Sequence, residues 1–234
     1  MDEWQLRAAT TEDLPALADL YLRVRAAAIP AMPPGIHSED DVRSWVGGWE
    51  LEQWDVWLAE TPDGTPVGYA VLTDDWLHSL YVAPETAGRG VGGALLGLAK
   101  TLRPGGFCLW VFESNTPARS FYAHRGLVDL ERTDGSTNEE KAPDIKMAWP
   151  GEDAVEFFRG LIDDVDGQLG DLLARRAALT RAVQAHKPDR SRDPERERAI
   201  ARAMAERAPE LGEERLGRIV AAIIRESLDA AAER

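Results

Sequence analysis

The spacing of apolar positions changes near residue 150. Before it, short runs alternate with period two and are broken by turn residues. Trp4 to Arg7, Asp55 to Ala59, Val67 to Leu72, Leu77 to Val82, Phe107 to Phe112 and Ile145 to Trp149 read as strands, with Pro62-Asp63-Gly64 as the clearest turn. Between them the period lengthens to that of helices. Thr11-Glu12-Asp13-Leu14 offers a cap for a helix running to about Arg25, a glycine-rich turn opens one at about Val91 to Thr101, and Pro117 to His124 gives another. Mixed α/β architecture is the expectation for this half.

After Pro150-Gly151, a structure-breaking pair, the pattern is helical throughout. From Asp153 to about His186, apolar residues recur every three or four positions, including Val155, Leu161, Ile162, Val165, Leu169, Leu172, Leu179 and Val183. That spacing predicts one long amphipathic helix. Lys187-Pro188-Asp189 ends it, Asp193-Pro194-Glu195 restarts a second, and a break over Pro209 to Gly212 precedes a third over Glu213 to Ala231. The predicted domains are therefore 1–150 and 151–234.

Composition sharpens this division. All eight tryptophans lie before residue 150, and no Phe, Tyr or Trp follows Phe158. The net charge of -14 disfavours nonspecific binding to nucleic acid or anionic membrane. Most of the acid excess sits in the first half, where it fits either a cationic amine substrate or simple solubilisation. No apolar run approaches the roughly 20 residues of a membrane span. Met1-Asp2-Glu3-Trp4 lacks the order of a signal peptide, and Cys108 is the sole cysteine. A cytoplasmic protein without bound metal is expected, with Cys108 in the core.

Leu80-Tyr81-Val82 followed by Gly88-Arg89-Gly90-Val91-Gly92-Gly93 is strand, glycine loop, helix. A helix start carries unpaired amides and a positive dipole end, and glycines let a pyrophosphate reach them. Together with Asn115-Thr116-Pro117-Ala118-Arg119-Ser120-Phe121-Tyr122 and Gly126, this stretch resembles the GNAT acyltransferases over about residues 3–149. One position departs from the family pattern, since Ala87 stands where Gln or Arg is usual. The resemblance implies acetyl-CoA as co-substrate and an unidentified amine as acceptor. It places pantetheine on the backbone of Leu80 and Val82, and the pyrophosphate on amides of Gly88, Arg89, Gly90, Val91, Gly92 and Gly93, with Asn115 in the neighbouring motif. Tyr122 matches the family's general acid, although packing beside Phe121 explains it equally. His78 is suited to a base by residue type, although a histidine on such a strand is more often a structural or substrate-shaping residue.

In the second half, Phe158-Arg159-x-x-Ile162-Asp163-x-x-Asp166, Leu172-Leu173-Ala174-Arg175-Arg176, Lys187, Asp193-x-x-Arg196-Glu197 and Ile223-Ile224-Arg225-Glu226-Ser227 form a set. Taken singly, these arginines fit solvated faces and ion pairs. As a set they resemble the all-helical, type II chorismate mutases, over about residues 153–231. The resemblance implies three helices in an intertwined dimer that converts the shikimate-pathway compound chorismate to prephenate. Arg159 and Arg176 would bind carboxylates, Lys187 would face the ether oxygen, and Arg196 and Glu197 would complete the pocket. Asp193 and Ser227 match supporting, substrate-binding positions, and Asp193 also reads as a plain helix cap. This rearrangement has no proton transfer, so fixing the reactive shape and stabilising developing charge are all a protein can contribute.

Helix geometry bears on the dimer. Arg176 and Lys187 lie about 20° apart around one helix and roughly 16 Å along it, within reach of a shared ligand. Arg159 is about 25 Å from Arg176 and about 100° around, so a homodimer that supplies Arg159 across the interface resolves the pocket. Ala231 stands where the family usually has Gln or Glu near the ether oxygen. The expectation is thus a bifunctional enzyme, N-acetyltransferase plus chorismate mutase. The alternatives are a helical module that senses chorismate or prephenate, or only dimerises, and an isochorismate pyruvate lyase.

Overall fold

The computed structural model describes residues 4–186 and 193–232, which divide into two compact units, Met1–Phe158 and Arg159–Arg234. In the first unit, β1 (Gln5–Ala8), β2 (Asp55–Glu60), β3 (Pro66–Leu72) and β4 (Leu77–Val82) form an antiparallel sheet in that order. A second antiparallel sheet has the order β5 (Phe107–Phe112), β7 (Asp144–Trp149), β6 (Val128–Thr133). The helices are α1 (Leu14–Ala27), α2 (Glu39–Gly47), α3 (Val91–Leu102) and α4 (Thr116–Ala123).

Strand β3 is buried along nearly its whole length, which explains its unbroken apolar run. Helix α3 packs closely on it at Gly68, where an added Cβ would stand 2.8 Å from Val91 Cγ1. Tyr69, Leu58, Leu72, Leu95, Phe107 and Ile145 are among the fully buried side chains of the surrounding core. Cys108 is buried there too, as expected from sequence. The two sheets touch through a parallel bridge between Trp76 and Cys108, with the Cys108 amide donating to the Asp75 carbonyl at 2.8 Å. Beyond that bridge β4 pairs only with β3, and β5 only with β7. The edges of β4 and β5 therefore part, and the functional cavity of this unit lies between them.

Two elements escape the hydrophobic pattern. Helix α2 starts on a capping box in which the Ser38 hydroxyl accepts from the Asp41 amide and the Asp41 carboxylate accepts from Ser38, but only Val42 and Val46 are buried. Strand β6 is mostly exposed and charged, so its partner β7, not its own sequence, defines it.

The helical part consists of α5 (Ala154–Gln184), α6 (Pro194–Arg207) and α7 (Gly212–Ala232), matching the three predicted helices. The first turn of α5 belongs to the first unit, because the Phe157 ring sits against Gly106. Asp193 caps α6, its carboxylate accepting from the amides of Glu195 at 3.1 Å and Arg196 at 3.0 Å. Among the described residues no helix is long and apolar enough to cross a membrane.

Candidate functional site

The cavity between β4 and β5 has a volume of about 550 Å³. His78, Leu80 and Val82 from β4 line it, as do Trp110 and Phe112 from β5 and Asn115 and Tyr122 around α4. Five residues singled out from the sequence thus meet in one place: His78, Leu80, Val82, Asn115 and Tyr122. Because no strand covers this edge of β4, its backbone groups are available to an extended ligand.

His78 Nε2 lies 2.9 Å from Thr73 Oγ1, and its ring stacks on Trp54 at 5.4 Å. His78 is exposed overall, and partial desolvation of its ring beside Trp54 lowers its pKa from the ordinary histidine value, which favours the neutral form. Tyr122 is 8% exposed, and burial raises its phenol well above the usual tyrosine range. The phenol is therefore fully protonated near neutral pH, although the same shift makes it a weaker acid than a free tyrosine.

The glycine loop lies at the start of α3. Gly90 is the N-cap at φ +90°, a conformation that favours glycine, and Gly88 precedes it at φ +78°. The first amides of α3, on Val91, Gly92 and Gly93, have no carbonyl a turn back within the helix. The Arg125 guanidinium closes on the same spot: a Cβ on Gly93 would stand 3.4 Å from its Nη2. Arg125 lies 4.0 Å over the Phe121 ring and donates from Nη1 to the Phe121 carbonyl. Sequence reading had passed over this residue. Its charge stands near the amides that Ala87 leaves without a flanking Gln or Arg.

Part of the cavity wall is polar and charged, with Arg25, Thr133, Asn138, Glu140 and Asp144. Arg25 is 7% exposed and pairs with Glu140 at 2.9 Å. Asp144 accepts from Thr133 Oγ1 at 2.5 Å and Asn138 Nδ2 at 3.0 Å. No local motif marks these residues, since Arg25 and Glu140 stand 115 positions apart.

In the helical unit, the structure brings together Arg176 and Ser227. Arg176 Nη1 donates to Ser227 Oγ at 2.7 Å and to the Ile223 carbonyl at 3.3 Å. Arg159 and Arg196 are exposed, and Glu197 is half-buried. Lys187 lies outside the described residues. Glu197 lines a cavity between α6 and α7 with Glu213, Glu214 and Arg198, an acid-rich wall that suits a dicarboxylate poorly. Neither Arg159 nor Arg176 reaches that cavity. Along α5, Ile162, Val165, Leu169, Leu172, Leu173, Leu179 and Val183 are between 37% and 61% exposed, and no residue of this helix is buried.

Comparison with known proteins agrees with both halves. Residues 22–127 match the Acetyltransferase (GNAT) family, and residues 158–231 match Chorismate mutase type II. The peptidyl-lysine N-acetyltransferase YjaB of Salmonella typhimurium is 32% identical over 95 residues, which cover 41% of this chain and 65% of that protein. The chain thus spans just under two thirds of that relative's length. Among solved structures, apo-form YjaB from Escherichia coli superposes with a TM-score of 0.53 at 22% identity, covering 63% of this chain and 98% of the other. YncA from Salmonella typhimurium, solved with its cofactor acetyl-CoA, gives 0.50 at 17% identity over 64% and 95%. At those identities the likeness establishes the fold.

Proposed function

The chain carries a GNAT-family acetyltransferase domain followed by a chorismate mutase type II domain, and from that premise we propose a bifunctional enzyme. Residues 1–150 transfer an acetyl group from acetyl-CoA to an amine, and residues 151–234 form a dimeric chorismate mutase. A cytoplasmic setting fits its single, buried cysteine.

The observation that carries the first activity is the meeting of His78 and Tyr122 in the cavity beside the free edge of β4. Pantetheine lies along Leu80 and Val82, and the pyrophosphate lies on the amides of Gly88 and of Gly90 to Gly93 with Arg125 beside them, the Arg89 amide donating instead to the Thr86 carbonyl at 3.1 Å. His78 takes the proton that the acceptor ammonium must lose. The neutral amine nitrogen then bonds to the thioester carbonyl carbon, the C–S bond breaks as the nitrogen sheds its second proton, and Tyr122 protonates the departing thiolate, the shed proton restoring the phenol. Asn115 holds the start of α4, its side chain accepting from the Ala118 amide, and so fixes Tyr122 about two turns on. The test is thiol release from acetyl-CoA with an amine panel. Tyr122→Phe should lower kcat about 100-fold or more while leaving the melting shift caused by acetyl-CoA intact. A variant with unchanged kcat would remove Tyr122 from the chemistry.

For the helical domain, the exposed stripe on α5 supports a homodimer. In it Arg159 comes from one protomer, while Arg176, Lys187, Arg196 and Glu197 come from its partner, with Asp193 and Ser227 supporting them. Arg176 already sits on Ser227 and keeps further donors for a carboxylate. Ala231 favours a second reading, in which the domain binds chorismate or prephenate without turnover, because no side chain there can bond the ether oxygen. Following chorismate with the purified protein separates the readings. Prephenate identifies the mutase, and saturable binding without loss identifies a sensor. Pyruvate released from isochorismate identifies the lyase.

A further inference from the structure

The polar part of the cavity identifies a class of acceptor. This inference rests on the acetyl-transfer reading above and adds what the acceptor carries besides its amine.

Arg25 comes from the last turn of α1 and Glu140 from the segment between β6 and β7, and both line the cavity. Their pairing is incomplete. Nη2 donates to Glu140 Oε1 at 2.9 Å and to the Pro33 carbonyl at 3.3 Å, whereas Nε is buried with no hydrogen-bond partner. A guanidinium can offer a carboxylate two parallel bonds, so one Nη2 contact is a partial use of it. A buried cation with an unmatched donor carries an uncompensated desolvation cost, which a second anion on its cavity-lining face would lower. On the dry side, Arg25 lies 5.7 Å over the Phe112 ring, in surroundings that strengthen any charge contact it makes.

Two carboxylates, Glu140 and Asp144, line the same cavity. A simple cationic amine would be drawn in by them but would bring its charge against Arg25. A molecule bearing ammonium and carboxylate close together suits both signs at once. We propose that the acceptor is a free α-amino acid, whose carboxylate is held by Arg25 and whose ammonium, drawn in by Glu140 and Asp144, gives up its proton to His78. Tyr21, Trp110 and Phe112 on the same walls accommodate an apolar side chain. A lysine inside a peptide lacks the neighbouring free carboxylate and loses this contact.

The test uses the full chain with acetyl-CoA and measures thiol release with free amino acids, each paired with its decarboxylated amine. L-phenylalanine with 2-phenylethylamine is one such pair, and a lysine-containing peptide is included. At least one amino acid should exceed its amine in kcat/KM by tenfold or more. Arg25→Gln should bring that ratio close to one, chiefly through the KM of the amino acid. Equal or better turnover of the decarboxylated amines or of the peptide would overturn the proposal. So would binding of acetyl-CoA with no amino acid acetylated. Should Arg25→Gln not fold, the ratios measured on the unmodified chain decide by themselves. Absence of any acetyl-CoA-induced melting shift would instead count against the acetyl-transfer reading on which this one stands.

Discussion

Arg176 on α5 reaches Ser227 on α7 across 51 positions of sequence, its Nη1 donating to Oγ at 2.7 Å while that hydroxyl donates on to the Ile223 carbonyl at 2.6 Å. Ser227 is 7% exposed, so the pair sits where water competes poorly. The serine therefore both ties two helices together and fixes the direction of the guanidinium proposed above to meet a carboxylate. Ser227→Ala is expected to destabilise the helical domain by about 1–2 kcal/mol. It should also weaken chorismate binding several-fold, read by thermal melting and by calorimetric titration. Loss of stability with unchanged affinity would reduce the pair to a structural tie.

The stripe on α5 yields a sharper test of assembly. A helix with Ile162, Leu172 and Leu179 each more than half exposed presents more apolar surface than a solvated helix normally keeps. Leu172→Glu is expected to shift the protein from dimer to monomer in sedimentation at micromolar concentration. Turnover of chorismate should fall with it, since Arg159 and Arg176 then belong to separate molecules. A Leu172→Glu protein that remains dimeric would place the interface elsewhere.

The pH dependence of acetyl transfer follows from His78. Its folded pKa is lowered by partial desolvation of the ring, so protonation favours the unfolded chain. The associated stability is fully present above the unfolded histidine value of about 6.5 and is lost progressively as pH falls below it. As the proposed base, the neutral ring should give kcat/KM a plateau near pH 7 and an acid limb below about pH 6.5. His78→Gln should lower the plateau and remove that limb. Survival of the limb in the variant would assign it to another group.

Arg125 is expected to act on co-substrate affinity alone. It stands beside Gly93 at the opening of α3, where an anion meets free amides. Arg125→Ala should raise KM for acetyl-CoA about five- to tenfold, the scale of one charge-assisted contact in a partly solvated place, with kcat little changed. Restoring charge with Ala87→Arg in that background should recover part of the loss. An unchanged KM in Arg125→Ala would leave the phosphates to the backbone.

The division into an α/β half and a helical half was legible in the chain because burial imposes its own period. A strand covered on both faces, such as β3, and an amphipathic helix, such as α5, cannot disguise their spacing. The glycine loop was legible too, since Gly90 at φ +90° serves a turn that other residues resist. Helix α2 and strand β6 were not, because a short helix held by a cap and a charged edge strand bury too little to leave a pattern. The charges that distinguish this cavity were equally hidden. Arg25 and Glu140 look like any surface pair until the splay of β4 from β5 opens a space that both line. Local sequence thus determined most of the elements, the glycine loop and the family that each half resembles. Tertiary structure alone decided which distant side chains share low-dielectric space, and shared space is what turns separate charges into a binding site.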